Sequence, residues 1–260
     1  MKDRIGIIMA GGMGTRLYPL TKVVNKHLLP VYDKPMIYYP LSTLIRLGHK
    51  TIYLIFTKES IPLFKKLLGN GKKYSIKLHY KVQDKPKGIA HCFYLLKKEL
   101  RNKKTTLILG DNLFISNFEN LISSIHSEGC TLVCTTVREP QHYGVISFKN
   151  NKIIKIEEKP KNPKSNFIAT GLYFYDEHLT KHIKKLKPSR RGEYEITDLN
   201  KIYQKNKQCF HYNLSSTDHW YDLGQISDLD DCTTFLKIYQ QKRQLNLGQL
   251  KFNKLLNNKT

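Results

Sequence analysis

The segment Ala10-Gly11-Gly12-Met13-Gly14-Thr15-Arg16-Leu17 sets glycines, a hydroxyl and a cation directly after the apolar run Ile5 to Ala10. Glycines at a strand end let backbone N–H groups turn towards a polyphosphate at close range. Two familiar phosphate loops do not fit. The P-loop needs a Gly-Lys-Ser/Thr ending, and the dinucleotide fingerprint needs a third glycine where Leu17 stands. What remains is a glycine loop with Arg16 inside it and Lys26 ten residues on. That pair suits a triphosphate held for attack, with a planar fork of donors on Arg16 and a mobile point charge on Lys26. Each such charge-assisted hydrogen bond contributes about 1.5–3 kcal/mol. The plain alternative is a tight strand-to-helix turn with an exposed arginine.

Two further groups carry chemistry less visibly. Asp111 follows the strand-like Leu107 to Gly110 and so falls at the carboxyl edge, where α/β sheets bind ligands. Gly-Asp-Asn is also ordinary turn chemistry. Glu157-Glu158-Lys159-Pro160 reads, on its own, as a charged hairpin end. The five cysteines have no CxxC spacing and read as reduced and buried rather than as a metal site or disulfides. His178 and His182 lie i, i+4 in the helical stretch 177–186, but no Glu follows His178, so a solvated helix face is expected.

The elements that must position these residues alternate. Ile5 to Ala10, Thr51 to Phe56 and Thr105 to Leu109 are continuous apolar runs of the kind found in central parallel strands, and Ser75 to Val82 alternates. Between them, Pro35 to Leu47 reads as a helix capped by Gly48 and delayed or kinked by Pro40, and Ile89 to Leu100 as a second. Cys130 to Val137, Gly144 to Phe148, Ile153 to Ile156 and Phe167 to Tyr175 extend the sheet with shorter connections, and helices return at 196–207 and 227–241. This order predicts an α/β protein with a mostly parallel, mixed central sheet and helices on both faces. The final stretch from Leu245 is polar and is expected to fray.

Composition excludes little. With 260 residues and 40% hydrophobic content the chain can bury a large core. Its longest uncharged apolar stretch is broken by Pro40, and the amino-terminal apolar run is too short for a signal peptide. A cytoplasmic protein without a membrane partner is expected. The net charge of +23 attracts polyanions, yet the lysines are scattered and no nucleic-acid-binding signature accompanies them. A polyanion-binding protein therefore stands as a competing reading, with salt-sensitive binding as its mark.

The run Ala10 to Leu20 resembles the signature of the sugar-nucleotide pyrophosphorylases. Lys26-His27-Leu28-Leu29-Pro30 and Asp33 to Leu41 narrow the resemblance to the glucose-1-phosphate thymidylyltransferase family. Matches continue in order through Gly110-Asp111-Asn112, Tyr143-Gly144-Val145, Glu157 to Pro160, Thr170 to Asp176, Arg191-Gly192-Glu193, Glu195 to Asp198 and Trp220-Tyr221-Asp222. The resemblance implies a Rossmann-like three-layer α/β/α nucleotidyltransferase domain over 1–240. Its nucleotide-binding part covers about 1–112 and its sugar-phosphate-binding part about 113–240. A short tail, 241–260, follows.

It implies the formation of dTDP-glucose and pyrophosphate from dTTP and glucose 1-phosphate, the first step towards dTDP-rhamnose, in a homo-oligomer (dimer or tetramer). Carried over position by position, Gly11, Gly12, Gly14 and Thr15 line the nucleotide phosphates, and Arg16 and Lys26 neutralise the reacting centre. Asp111, also catalytic, holds Mg²⁺ with Asp222. Gln83 pairs with a pyrimidine edge by donating and accepting together, and Gly88 lets backbone approach the base. Glu158 and Lys159 take the sugar hydroxyls and the sugar phosphate, and Asn112, Gly144, Thr170 and Gly171 complete that pocket. UTP or another sugar 1-phosphate in the same chemistry, and a catalytically silent binding subunit, are the alternatives.

The sequence departs from the family at His27 and His91, where Gln is expected, and at Leu223-Gly224-Gln225, where Thr-Gly-Thr is usual. Family members usually continue through further carboxyl-terminal helices, so reduced or absent end-product inhibition is expected.

Overall fold

The structure is a computed structural model that describes residues 3–12, 14–85 and 87–243. The strands are β1 (Ile5–Met9), β2 (Pro30–Val31), β3 (Lys34–Pro35), β4 (Thr51–Phe56), β5 (Lys77–Val82), β6 (Thr105–Leu109), β7 (Asn112–Ile115), β8 (Cys130–Thr136), β9 (Gly144–Lys149), β10 (Lys152–Glu158), β11 (Phe167–Tyr175), β12 (Cys209–Asn213) and β13 (His219–Asp222). The α-helices are α1 (Tyr38–Arg46), α2 (Ile61–Leu68), α3 (His91–Leu95), α4 (Phe118–Ser123), α5 (Leu179–Ile183), α6 (Ile196–Lys205) and α7 (Ile226–Arg243). The polar stretch expected to fray lies outside the described residues. Among the described residues, no helix is long and apolar enough to cross a membrane.

The continuous apolar strands do become the centre of the sheet, because both of their faces are covered. Ile7 packs into one core with Leu107, Phe93 and Leu199, while its neighbour Ile8 packs into another with Leu44, Leu54 and Phe64. Successive side chains of a strand point to opposite faces, so the two cores lie on either side of one sheet. Residues of α1 and α2 fill the second core and residues of α3, α5 and α6 the first, giving the expected three layers. The main sheet runs β10-β9-β11-β6-β1-β4-β5, with β8 joining β11 to β12. Pairings are parallel for β1 with β4 and β6, for β4 with β5 and for β8 with β12, and antiparallel around β11.

One topological feature makes the site. β11 pairs with β9 through Ile168 and Ala169, then with β6 from Leu172 onwards. Thr170 and Gly171 lie where the strand exchanges one neighbour for the other, so a fork opens between the end of β6 and the start of β9.

Some elements differ from expectation. α1 starts at Tyr38, so Pro40 falls in its first turn, where it removes no helical hydrogen bond. The expected helix from Ile89 shortens to α3, and its remaining apolar residues pack as turns, with Leu96 and Leu100 fully buried. The stretch 177–186 likewise yields only the five residues of α5. There His182 is 9% exposed and lies against Tyr203, not on a solvated face. A third core of Leu17, Leu29, Val31, Met36, Leu223 and Leu236 ties the glycine loop, the β2–β3 hairpin and α7 together beside the fork.

Candidate functional site

At the fork lies a cleft of about 810 Å³. Arg16, Asp111, Gly144, Glu158, Lys159, Thr170 and Asp222 line it, so seven of the site residues named from sequence meet there. They come from the glycine loop, the end of β6, the start of β9, the end of β10, the break in β11 and the end of β13.

The glycine loop turns at Gly14, whose φ of 66° is left-handed and favours glycine. A short 3₁₀ turn, Thr15–Leu17, then buries Leu17 and leaves Thr15 and Arg16 exposed. The Arg16 guanidinium lies over Gly224, where an added Cβ would come within 2.7 Å of Nη2. The departure at Leu223-Gly224-Gln225 therefore keeps the glycine against which the guanidinium rests. Lys26 passes beside Gly12 and Gly14 and forms an ion pair with Asp111 Oδ2.

Asp111 and Asp222 are brought together by an element absent from the sequence reading. β7 and β13 form a two-stranded antiparallel ladder that sets Asp222 opposite Asn112, and the Leu223 N–H donates to the Asp111 carbonyl at 2.9 Å. Their electrostatic states diverge. Burial would raise the Asp111 pKa, but Lys26 outweighs it and holds the carboxyl well below the usual range. Asp222 is pushed up to about 7 by burial and by the Asp111 charge, against the pull of Lys26 and Arg16. Two neighbouring carboxylates, one of them under-neutralised, beside a cleft that admits phosphate oxygens fit a hard divalent cation. Mg²⁺ takes one or two protein carboxylates and completes its shell with phosphates and water.

Beside the glycine loop, Gln83 is 2% exposed at the end of β5, with Oε1 turned to Gly11. An added Cβ on Gly11 would sit 2.7 Å from that oxygen. Gly88 has φ 88°, and a Cβ there would strike the Tyr194 carbonyl at 2.5 Å. His27 is buried under the strand end, where a Cβ on Gly110 would meet its ring at 2.8 Å. Asn25 Oδ1 accepts from the His27 backbone N–H at 3.0 Å and lies 2.9 Å from Nδ1. Burial and then Lys26 lower the His27 pKa to about 3, so the ring is neutral.

At the end of β10, Lys159 has φ 43°, an uncommon conformation for a side-chain-bearing residue, fixed by its N–H donating to the Tyr143 carbonyl at 3.0 Å. Glu158 accepts from the Thr197 hydroxyl, whose Oγ1 an added Cβ on Gly144 would approach to 3.1 Å. Asn112 and Gly171 lie beneath the floor instead of lining the cleft. Asn112 Oδ1 accepts from the Trp220 indole at 2.8 Å, its Nδ2 donates to Asp111 at 3.2 Å, and Gly171 leaves room for it. Sequence reading gave no role to Tyr143, Thr197, Glu195 or Arg191. The first three line the cleft, and Arg191 bridges to Glu195 at 2.9 Å and Glu158 at 3.8 Å. Their motifs were visible, but nothing in spacing said that they converge.

Comparisons with known proteins identify the family. The sequence profile described as nucleotidyl transferase matches residues 5–238. A glucose-1-phosphate thymidylyltransferase of Neisseria meningitidis is 41% identical over 94% of this chain and 86% of its own. That of Mycolicibacterium smegmatis is 42% identical over 94% and 85%. Among solved structures, a Bacillus anthracis protein described as a glucose-1-phosphate thymidylyltransferase, in complex with sucrose, superposes with a TM-score of 0.83 at 39% identity. The match covers 95% of this chain and 98% of that one. A UDP-glucose pyrophosphorylase shares the fold at a TM-score of 0.77 and 23% identity. With the family profile spanning residues 5–238 and relatives above 40% identity matched along almost the whole chain, the chain belongs to the glucose-1-phosphate thymidylyltransferases of the nucleotidyl transferase family.

Proposed function

We propose that the chain joins dTTP to glucose 1-phosphate, forming dTDP-glucose and pyrophosphate for deoxysugar synthesis. The observation that carries this reading is the shared cleft, in which Arg16 and both aspartates face Glu158 and Lys159 across a space wide enough for a sugar phosphate. An oxygen of the sugar phosphate attacks the α-phosphorus of the nucleotide, and pyrophosphate leaves. The attacking oxygen is already anionic, so a general base is unnecessary. The barrier lies in bringing two anions together and in the charge that builds on phosphorus, and catalysis is mostly positioning and electrostatics.

In this reading Gly11, Gly12, Gly14 and Thr15 cradle the nucleotide phosphates. Arg16 and Lys26 supply charge-assisted donors where negative charge develops. Lys159 holds the phosphate of glucose 1-phosphate, and Glu158, steadied by Thr197, accepts from sugar hydroxyls. Gly144 and Thr170 shape the pocket, while Asn112 and Gly171 brace Asp111 from below. Asp111 and Asp222 would hold Mg²⁺, which when bound supplies charge neutralisation to the triphosphate. Gln83 and Gly88 face the base. The test is pyrophosphate release across a grid of nucleoside triphosphates and sugar 1-phosphates with Mg²⁺. Highest kcat/KM for dTTP with glucose 1-phosphate is expected, and turnover confined to another pair would overturn the assignment.

A further inference from the structure

The departure at His91 has a physical consequence. Gln83 Nε2 lies 3.0 Å from His91 Nδ1 and donates to the Gly88 carbonyl at 3.5 Å. The carbonyl has no hydrogen to give, so the amide NH₂ must be the end that faces it. His91 Nδ1 lies on that same side and must then accept, which places the ring proton on Nε2. The amide oxygen is left on the opposite side, over Gly11. Both acceptors are themselves held. Lys87 and Ala90 exchange backbone hydrogen bonds with Tyr194 at 2.8 and 3.0 Å, and the His91 ring stacks on Tyr194 at 6.0 Å with 17° between planes. Burial, and then the Lys87 charge, lower the His91 pKa, which keeps Nδ1 free to accept at neutral pH.

We propose that His91 is a positioning residue for base selection: it locks the Gln83 amide so that Oε1 is presented as an acceptor to the imide N–H of thymine or uracil. Cytosine offers a ring lone pair at that position and is disfavoured. The 5-methyl group is not read by this contact, so thymine and uracil are not separated by it. The inference rests on the proposed function insofar as it takes a pyrimidine nucleotide to sit over Gly11.

The test compares dTTP and dCTP, each with glucose 1-phosphate and Mg²⁺, in the wild type, His91→Phe and His91→Gln. Phe keeps a ring against Tyr194 but removes the acceptor. Gln restores an acceptor through its own amide oxygen. With a neutral hydrogen bond contributing about 1 kcal/mol, His91→Phe is expected to raise the dTTP KM about fivefold, with kcat little altered. The dTTP:dCTP ratio of kcat/KM should fall by a similar factor, and His91→Gln should recover most of it. ¹⁵N-histidine NMR of the unmutated protein should show His91 Nδ1 unprotonated and Nε2 protonated at pH 7.5. A ratio unmoved in His91→Phe, or a proton on Nδ1, overturns the inference. The NMR result decides even where His91→Phe does not fold. A wild type that turns over no pyrimidine triphosphate overturns the underlying functional reading, while the tautomer still tests the hydrogen bond.

Discussion

The two sides of the proposed site are built by different physics. On the nucleotide side, side chains are fixed by packing. His27 fits against Gly110 and Gln83 against Gly11, each at a distance that a methyl group would destroy. The sugar side is fixed by charge. Arg191 spans Glu195 and Glu158 at 2.9 and 3.8 Å, and Lys159 stands in a left-handed backbone conformation next to them. A packed wall is little changed by salt. A charged one answers to it, because partly exposed ion pairs are screened.

Removing a charge from the packed side should do the most damage. Lys26→Ala takes away a proposed transition-state donor and leaves Asp111 buried without its partner, so kcat should fall by about 10²–10³. Asp111→Asn should match or exceed that loss. Both effects should persist with little change between 50 mM and about 300 mM salt, where surface pairs are already screened. Turnover within threefold of wild type for either variant, measured by pyrophosphate release, would remove the Lys26–Asp111 pair from the reacting centre.

A substitution that adds volume but no charge separates packing from electrostatics. In Gly171→Ala the new methyl would lie 2.5 Å from Asn112 Oδ1, the oxygen that accepts from Trp220. Overpacking of this kind costs about 1–3 kcal/mol. Urea unfolding should register that loss, and the displaced Asn112 should slow turnover through Asp111. A variant as stable and active as wild type would mean that the floor yields freely, against the packed character claimed for it.

These two cases also mark what sequence could convey. The central strands were legible because β1, β4 and β6 are buried on both faces and must read as unbroken apolar runs. The glycine loop was legible because its residue types have few other uses. Asp222 carried no local signal. It comes into place through β7 and β13, four-residue strands of mixed Asn, Phe, His, Trp and Tyr whose pairing depends on a partner about a hundred residues away. Arg191, Thr197 and Glu195 were hidden for the same reason, since the fork in β11 that gathers them is a property of pairing, not of composition. The expected helix from Ile89 stops after α3 because its apolar spacing serves a buried turn as well as a helix, as Leu96 and Leu100 show.

The packed side contains a pH liability of its own. His27 has a folded pKa lowered to about 3. Its unfolded value lies near 6.5. As pH falls below about 6.5 the unfolded chain takes up a proton that the folded chain refuses, so stability is lost, by up to about 1.4 kcal/mol per pH unit. His49, also buried and lowered to about 3, adds a slope of the same sign. His27→Gln should therefore lessen the loss between pH 6.5 and 5.5 by about 1 kcal/mol without abolishing it. An identical pH profile in variant and wild type, by chemical denaturation, would show that the ring is not held neutral.

The smallest effect is expected on the charged side. Glu195→Gln keeps the shape of the side chain but removes the charge that holds Arg191 through bonds of 2.9 to 3.2 Å. Arg191 is half exposed, and partly exposed pairs contribute about 0.2–1 kcal/mol. The variant should alter the glucose 1-phosphate KM by about two- to fivefold and leave the dTTP KM near its original value. Raising salt should narrow the difference between variant and wild type, because screening weakens the interaction that only the wild type possesses. A salt-independent change, or one felt equally by dTTP, would place Arg191 and Glu195 in the same packed framework as the nucleotide wall and dissolve the distinction between the two sides.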